Sequence, residues 1–383
     1  MIKILTIIGA RPQIIKAAAL SRAIKNSFSA QIKEVLLHTG QHYDENMSKV
    51  FFNELEIPSP DYNLKVGSAS HGAQTAQMME GIEGVIITEE PDCIVLYGDT
   101  NSTLAGAVAA AKLRIPVAHI EAGLRSYNKS MPEEINRIVC DHCSTLLFSP
   151  TVAGYNNLIK EGFNPNNKIP FTPDNPGIYH CGDVMHDNTL FFAEIAKQQS
   201  GMLDELLLET GKYILTTLHR PTNTDDPQRL KEIMLALDEI TRIHNIIIVL
   251  PLHPRTAKMI QQLGDTDLRS RIAKNEKLKM IPAVSFLDMT NLESNAAMII
   301  TDSGGVQKEA YFFQKPCIIL RNETEWVEIV ENGCAILAGA DRDSILDTYS
   351  HFTNNPPTAY PPIFGDGKAA EFICGEILRN FSK

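Results

Sequence analysis

Short, nearly continuous apolar runs alternate along the chain with longer stretches whose apolar positions recur every three or four residues, which predicts strands followed by helices from one end to the other. Apolar runs without alternation suit strands buried on both faces, so the pattern is that of parallel sheets covered by helices on either side. Strands are predicted at residues 3–9, 32–38, 93–97, 116–120, 145–148, 213–218, 245–250, 298–300 and 317–320, with helices filling most of the gaps. Segment 164–176 holds Asn164, Pro165, Asn166, Asn167, Pro170, Pro173, Asn175 and Pro176 and is the richest in turn formers. It is the expected linker between a first α/β domain over residues 1–175 and a second over 176–365. A final helix within 366–383 is expected to pack back on the first domain.

Two strand-to-helix junctions carry candidate chemistry. The first apolar run stops at Gly9, and a helix follows with Pro12 in its first turn and Arg11 and Lys16 flanking its start. Arginine offers a planar fork and lysine a point charge, a pairing that suits a diphosphate. Near the other end, the run 297–300 stops at the small-residue turn TDSGG and opens into a helix carrying Glu309. Backbone N–H groups of Ser303, Gly304 and Gly305 are expected to face an anion, and the helix N-terminus adds about half a positive charge. Glu309, one helical turn on, is placed to accept the paired hydroxyls of a ribose. Either junction alone is equally well read as an ordinary turn; two of them, one near each terminus, predict a ligand held in a cleft between two domains.

Composition narrows the ligand. A 383-residue chain with 44% hydrophobic residues has enough apolar content for sizeable cores. Its net charge of -11 and pI near 5.5 argue against a broad nucleic-acid surface, so an anionic ligand must be met by local clusters. No apolar run approaches the ~18 residues of a membrane span. Residues 2–8 are followed at once by Arg11 and Lys16 rather than by a cleavage site, and read as a first strand and not a signal peptide. The expectation is a soluble cytoplasmic protein with neither nucleic-acid nor membrane partner.

Cys140-Asp-His-Cys143 has the spacing of half a zinc site, but no second pair follows, and three-residue spacing on one helix face is ordinary for buried thiols. No metal is expected, and the odd count of seven cysteines in a cytoplasmic setting argues against disulfides. Gly365-Asp-Gly367-Lys-Ala-Ala370 matches a dinucleotide fingerprint in letters only, since no long strand precedes it and one helix remains after it. No cofactor is expected.

The remaining signal is a set of acids at predicted strand ends, where open α/β sheets place their chemistry. YGDTNST puts Asp99 at one strand end, HIEAGLRS puts Glu121 at the next, and MPEEINR sets Glu133, Glu134 and Arg137 on the first turns of a helix. One such acid would be read as a helix cap; several opposite a phosphate site favour acid/base machinery. TTLHRPTN and LPLHPRT add His219, Arg220, His253 and Arg255 as a local positive patch.

Taken in order, GARPQIIK, HTGQH, YGDTNST, HIEAGLRS, PEEINR, TLHR, LHPR, TDSGGVQKEA and FGDG resemble the non-hydrolysing UDP-N-acetylglucosamine 2-epimerases over nearly the whole chain. The resemblance implies a GT-B-like α/β fold of two Rossmann-like, doubly wound domains with an interdomain cleft, a homodimer, and interconversion of UDP-GlcNAc and UDP-ManNAc for bacterial envelope polysaccharide. By position, Arg11, Lys16, Arg137, Ser303, Gly304, Gly305 and Glu309 correspond to substrate and UDP ligands, and Asp99, Glu121, Glu133 and His219 to the catalytic group. GARPQ stands where the family often has GTRPE, and Thr324 to Glu328 place Trp326 where an arginine is usual. These departures lean toward the branch acting on UDP-2,3-diacetamido-2,3-dideoxy-glucuronate, with Arg137, His253 and Arg255 as candidates for the added carboxylate. A GT-B glycosyltransferase, a hydrolysing epimerase and a non-catalytic nucleotide-sugar sensor would share the UDP contacts, but the sensor would not need the acids.

The hydrogen on carbon 2 of a UDP-sugar adjoins an acetal carbon and is not acidic. The expected route is elimination: UDP leaves carbon 1, a carboxylate takes the carbon 2 proton, and a 2-acetamidoglycal forms. A proton then returns to the opposite face and UDP re-adds. Inversion needs acid/base groups on both faces, hence several carboxylates.

Overall fold

A computed structural model describes residues 1–40 and 58–382. The apolar runs become the strands of two all-parallel sheets, each with its own core. The chain divides into one unit of Met1–Asn188 plus the segment from Pro362 onward, and a second of Thr189–Pro361.

In the first unit β1 (Ile2–Ile8), β2 (Ile32–His38), β3 (Tyr62–Asn63), β4 (Cys93–Tyr97), β5 (Val117–Ile120), β6 (Leu146–Ser149) and β7 (Gly177–His180) pair in the order β3-β2-β1-β4-β5-β6-β7. Leu5, Ile7, Leu37, Ile94 and Leu96 bury one face of the sheet against Met78, Ile82 and Val85 of the His71–Glu89 helix. The order reverses between β1 and β4, and a crevice at such a reversal is where doubly wound sheets bind ligands. The turns at Gly9 and Gly98 stand at those two strand ends.

In the second unit β8 (Tyr213–Thr217), β9 (Ile247–Leu252), β10 (Leu278–Pro282), β11 (Met298–Thr301), β12 (Cys317–Ile319) and β13 (Ala335–Leu337) pair in the order β10-β9-β8-β11-β12-β13. Ile214, Ile248, Leu250 and Ile300 pack against Leu230, Ile233, Leu237 and Ile240 of the Pro227–His244 helix. Here the reversal lies between β8 and β11, the strands that precede His219 and Ser303. Both units are therefore Rossmann-like doubly wound sheets, as a GT-B-like chain requires.

Segment 164–176 does not link the units. It joins the Val152–Lys160 helix to β7, which pairs in parallel with β6 from Leu146↔Gly177 to Ser149↔His180 and so completes the first sheet. The division falls instead at Asn188/Thr189, within the Val184–Gln199 helix, and again at Pro361/Pro362. The returning segment lies close on the first unit at two glycines of positive φ, Gly182 and Gly365. A Cβ on Gly182 would sit 2.7 Å from the Phe364 carbonyl oxygen. Asp187 then caps the Ala369–Phe381 helix, its carboxylate accepting from the Ala369 and Ala370 amides at 3.1 and 2.8 Å. Gly365 thus serves chain packing rather than a dinucleotide. Among the described residues, no helix is long and apolar enough to cross a membrane.

Candidate active site

At the end of β4 the backbone turns through Gly98 (φ 58°), Asp99 follows, and the Thr100 hydroxyl caps the Asn101–Leu113 helix by accepting from the Thr103 amide. At the end of the neighbouring β5, Glu121 is held at φ 75°. Two cations reach these acids from different elements. Lys16, from the Arg11–Ala23 helix, pairs with Glu121; Arg137, from the Pro132–Cys143 helix, pairs with Asp99. The acids lie close enough to influence each other. Burial raises the Asp99 pKa, Arg137 pulls it down and Glu121 pushes it up again, leaving it above the usual carboxylate range. Burial works against the charge on Lys16, but Glu121, Asp99 and Asp183 more than offset it, so the ammonium is held.

Glu133 stands exposed on the first helical turn and adds to the rise at Asp99. Its neighbour Glu134 is spent on structure: it accepts from the Ser126 amide at 2.9 Å, the Ser126 hydroxyl at 3.0 Å and the Tyr127 amide at 3.0 Å. Burial opposes its charge, yet these bonds and Arg137 bring its pKa below the ordinary value. Lys16, expected at the diphosphate, and Arg137, expected at the substrate, are each found paired with a strand-end acid. Arg11 opens its helix, but its side chain lies outside the described residues, as do Gln41 and His42 of HTGQH.

Gln13, the variant position of GARPQ, faces into the fold. Its side-chain oxygen accepts from the Gly9 and Ala10 amides at 2.9 and 3.2 Å, and its amide donates to the Tyr97 carbonyl at 2.8 Å and the Thr103 hydroxyl at 3.0 Å. It fastens the β1 turn to the end of β4.

A buried network behind the acids was not read from the sequence. His119 in β5 is wholly enclosed, with Nδ1 2.7 Å from Asp141 and Nε2 2.9 Å from the Gly98 carbonyl. Asp141 also accepts from the Gly123 amide at 3.1 Å and from Arg125 at 2.7 Å. Burial opposes charge on the imidazole, but Cys140 and Asp141 raise its pKa well above the ordinary value. A protonated His119 donates on both sides and so ties the turn before Asp99 to the turn after Glu121. Asp141 lies inside the Cys140–Cys143 spacing that resembles half a metal site. Both cysteines are free thiols, Cys140 fully buried, and no group of three or more metal-ligating side chains gathers among the described residues.

In the second unit Gly304 and Gly305 begin the Gly304–Phe312 helix, whose first amides have no partner within the helix. The Ser303 amide is already engaged, donating to the Thr301 hydroxyl at 2.9 Å, which leaves the two glycine amides for an anion. Asp302, fully buried, accepts from the His219 and Arg220 amides, both at 3.0 Å, and from the Asn223 side chain at 3.1 Å, fixing the turn after β8. Trp326 donates from its indole to the Gly304 carbonyl at 2.9 Å, with the Lys308 ammonium 4.2 Å from its ring centroid. It supports the turn from behind.

A cavity of about 410 Å³ opens at this end of the second sheet, lined by Thr217, His219, His253, Thr290, Glu293 and Glu309 among others. Arg255 turns away to pair with Asp225 at 2.6 Å. A larger, mainly apolar cavity of about 1020 Å³ lies along three helices of the first unit, beside Met79, Ile87, Leu104 and Ile135, and none of the strand-end acids lines it.

Residues 24–378 match the model of the UDP-N-acetylglucosamine 2-epimerase family. The chain is 48% identical over 379 residues to a UDP-N-acetylglucosamine 2-epimerase homolog of Methanococcus maripaludis, covering 99% of each. It is 46% identical to the UDP-2,3-diacetamido-2,3-dideoxy-D-glucuronate 2-epimerase of Pseudomonas aeruginosa, covering 98% of this chain and 99% of that protein. The solved structure of UDP-GlcNAc 2-epimerase from Methanocaldococcus jannaschii superposes with a TM-score of 0.86 at 40% identity, covering 98% of this chain and 99% of that one. With the full span from β1 to the last helix matched, the chain belongs to the UDP-N-acetylglucosamine 2-epimerase family.

Proposed function

We propose that the protein is a non-hydrolysing epimerase that inverts carbon 2 of a UDP-N-acetylhexosamine by eliminating and re-adding UDP. The observation that carries this reading is the array Lys16, Glu121, Asp99 and Arg137 at adjacent strand ends, two acids each held by a cation, in a chain of this family. Elimination of UDP from carbon 1 needs a base for the carbon 2 proton; re-addition after protonation from the other face needs an acid there. Asp99, Glu121 and the exposed Glu133 supply those groups. A carboxyl raised in pKa beside one that keeps its ammonium partner is a pair set for opposite roles. His219, Arg11, and the Gly304 and Gly305 amides stabilise the charge on the departing diphosphate, and Glu309 receives the ribose. Ser303 serves by shaping that turn. The reaction is redox-neutral, with the glycal and UDP as its only intermediates.

Turnover in D₂O tests the route: one deuterium should appear at carbon 2 of the product by NMR. Complete retention of the original hydrogen would sink the elimination.

A second substrate is favoured by the similarity to the Pseudomonas aeruginosa protein, whose name specifies a diacetamido-glucuronate. We infer a lean toward that sugar, although Gln13 and Trp326 act through packing and Arg255 is committed to Asp225. Comparing kcat/KM for the two UDP-sugars decides it, and a preference for UDP-GlcNAc reverses the lean without touching the mechanism. The same reading places the enzyme in the cytoplasm, as a homodimer, supplying an epimer for envelope polysaccharide. Light scattering should give twice the 42.4 kDa of one chain.

A further inference from the structure

Glu293 has no part in the chemistry above. It lies on the Phe286–Asn295 helix, its residue only 3% exposed, and lines the 410 Å³ cavity together with Glu309. No side-chain hydrogen bond from a described residue reaches either carboxyl. A buried carboxylate without a partner is strongly disfavoured, and two sharing one cavity are worse.

The surroundings say how the pair resolves this. Burial, and then the Glu309 charge, raise the Glu293 pKa well above the ordinary value. Burial raises Glu309 as well, while Lys308 on the same helix pulls it down. The other titratable groups facing the pair are His219 after β8, His253 after β9, and Tyr213 of β8, whose hydroxyl donates to the Leu292 carbonyl at 2.6 Å. Glu293 has burial and the Glu309 charge both against its ionised form, whereas Lys308 favours the charged form of Glu309, so a proton shared by the pair is best held on Glu293.

We propose that Glu293 and Glu309 together grip the vicinal diol of the UDP ribose, Glu309 accepting from its hydroxyls and the Glu293 carboxylic acid donating to a ribose oxygen. The inference rests on the reading of this cavity as the UDP site. A diol brings two donors and two acceptors; a lone carboxylate answers only the donors. An adjacent protonated acid supplies the missing donor. The device selects ribose over 2′-deoxyribose, because a site built around a hydroxyl leaves buried polar groups unpaired when that hydroxyl is absent. It also links binding to a proton: raising the pH strips the shared proton, removes the donor and adds a second buried charge, so UDP affinity falls.

Calorimetric titration of UDP and 2′-deoxy-UDP from about pH 7 to about pH 9 tests this on wild type, Glu293→Gln, Glu293→Met and Glu309→Gln. Wild type should bind UDP less tightly as pH rises and prefer it over the deoxy form by roughly tenfold or more. The near-isosteric glutamine keeps a donor that cannot ionise, so the pH dependence should vanish while the ribose preference survives. Methionine, of similar size without a donor, should lose roughly tenfold in UDP affinity and most of the preference. Subtracting the glutamine variant's profile removes the ionisation of UDP itself. Wild-type pH dependence and preference in both Glu293 variants would overturn the proposal. If Glu309→Gln alone weakens UDP, Glu293 is misassigned and the UDP site stands; if none of the three variants changes UDP affinity, UDP does not occupy this cavity and the underlying reading fails with it.

Discussion

Glu121 occupies a backbone conformation that costs an L residue about 1 to 2 kcal/mol, and its neighbours over-determine it. Its amide donates to the Phe148 carbonyl at 3.0 Å, Lys16 holds its carboxylate, and Asp141 holds the Gly123 amide two residues on. Glu121→Gln keeps the shape and removes the charge; together with Asp99→Asn and Glu133→Gln it should lower kcat by roughly 10²-fold or more with far smaller change in UDP affinity. Near-normal rates in all three would return these residues to a structural role. Gly98 offers a finer probe, because a Cβ there would lie 3.0 Å from the Glu121 carboxylate at a φ of 58°. Gly98→Ala should depress kcat by displacing Glu121 while the fold melts only a few degrees lower, roughly what about 1 kcal/mol of backbone strain gives. The strand-end positions of Asp99 and Glu121 were legible because apolar runs mark where buried strands stop; their pairing with Arg137 and Lys16 was not. Nor were His119 and Asp141: a histidine inside a strand reads as a polar interruption, and Asp141 is hidden between two cysteines. Only their shared burial gives them meaning. Glu293 was hidden in the same way, as one acid among the polar positions of an amphipathic helix.

The four strands missing from the sequence-based prediction, β3, β7, β10 and β13, are the four sheet edges. Interior strands β4 and β8 are buried at every position, whereas β10 has one buried residue followed by half-buried and exposed ones, and β3 has only two half-buried ones. An edge strand is covered on one side only, so its composition carries less of the continuous apolar signal that marks a doubly buried strand. Missing β7 is also what misplaced the domain boundary, since the Pro- and Asn-rich loop before it looked like a linker with nothing of the first sheet beyond it. At the next junction, burial raises the Asp187 carboxyl to about 6, against the two amides that pull it down. A folded-state pKa above the unfolded one, ordinarily about 3.9, means that the proton stabilises the fold. That contribution is complete below about pH 4 and is lost as pH rises through about 6. Asp187→Asn, neutral throughout and still able to accept from one helix amide, should flatten the difference in thermal midpoint between pH 4 and 7 relative to wild type. An unchanged profile would show that Asp187 does not titrate in this range.

At the level of the whole chain, the acidic protein gathers its site cations into pairs with strand-end acids rather than into a basic face, which is why net charge argued against nucleic acid but could not locate the site. The two-sheet architecture was legible because parallel strands advertise themselves; its discontinuity was legible only as a stray last helix. That helix buries Ala369, Ala370, Ile373, Cys374 and Ile377, and its Phe372 ring meets Tyr179 of edge strand β7 at 5.8 Å. Ending the chain after Pro361 should therefore make the first unit rapidly cleavable in limited proteolysis while the second, with a contiguous core of its own, resists; equal resistance of both would refute this. The close approach of Gly182 and Gly365 has a consequence in time as well as in space. On the ribosome, Asp99 and Glu121 emerge early, but the segment that seals their unit is made only after the entire second unit. A nascent chain released after Pro361 would carry every proposed acid and still lack the helix that Asp187 caps, so the order of synthesis leaves the first unit unfinished until the second has been made.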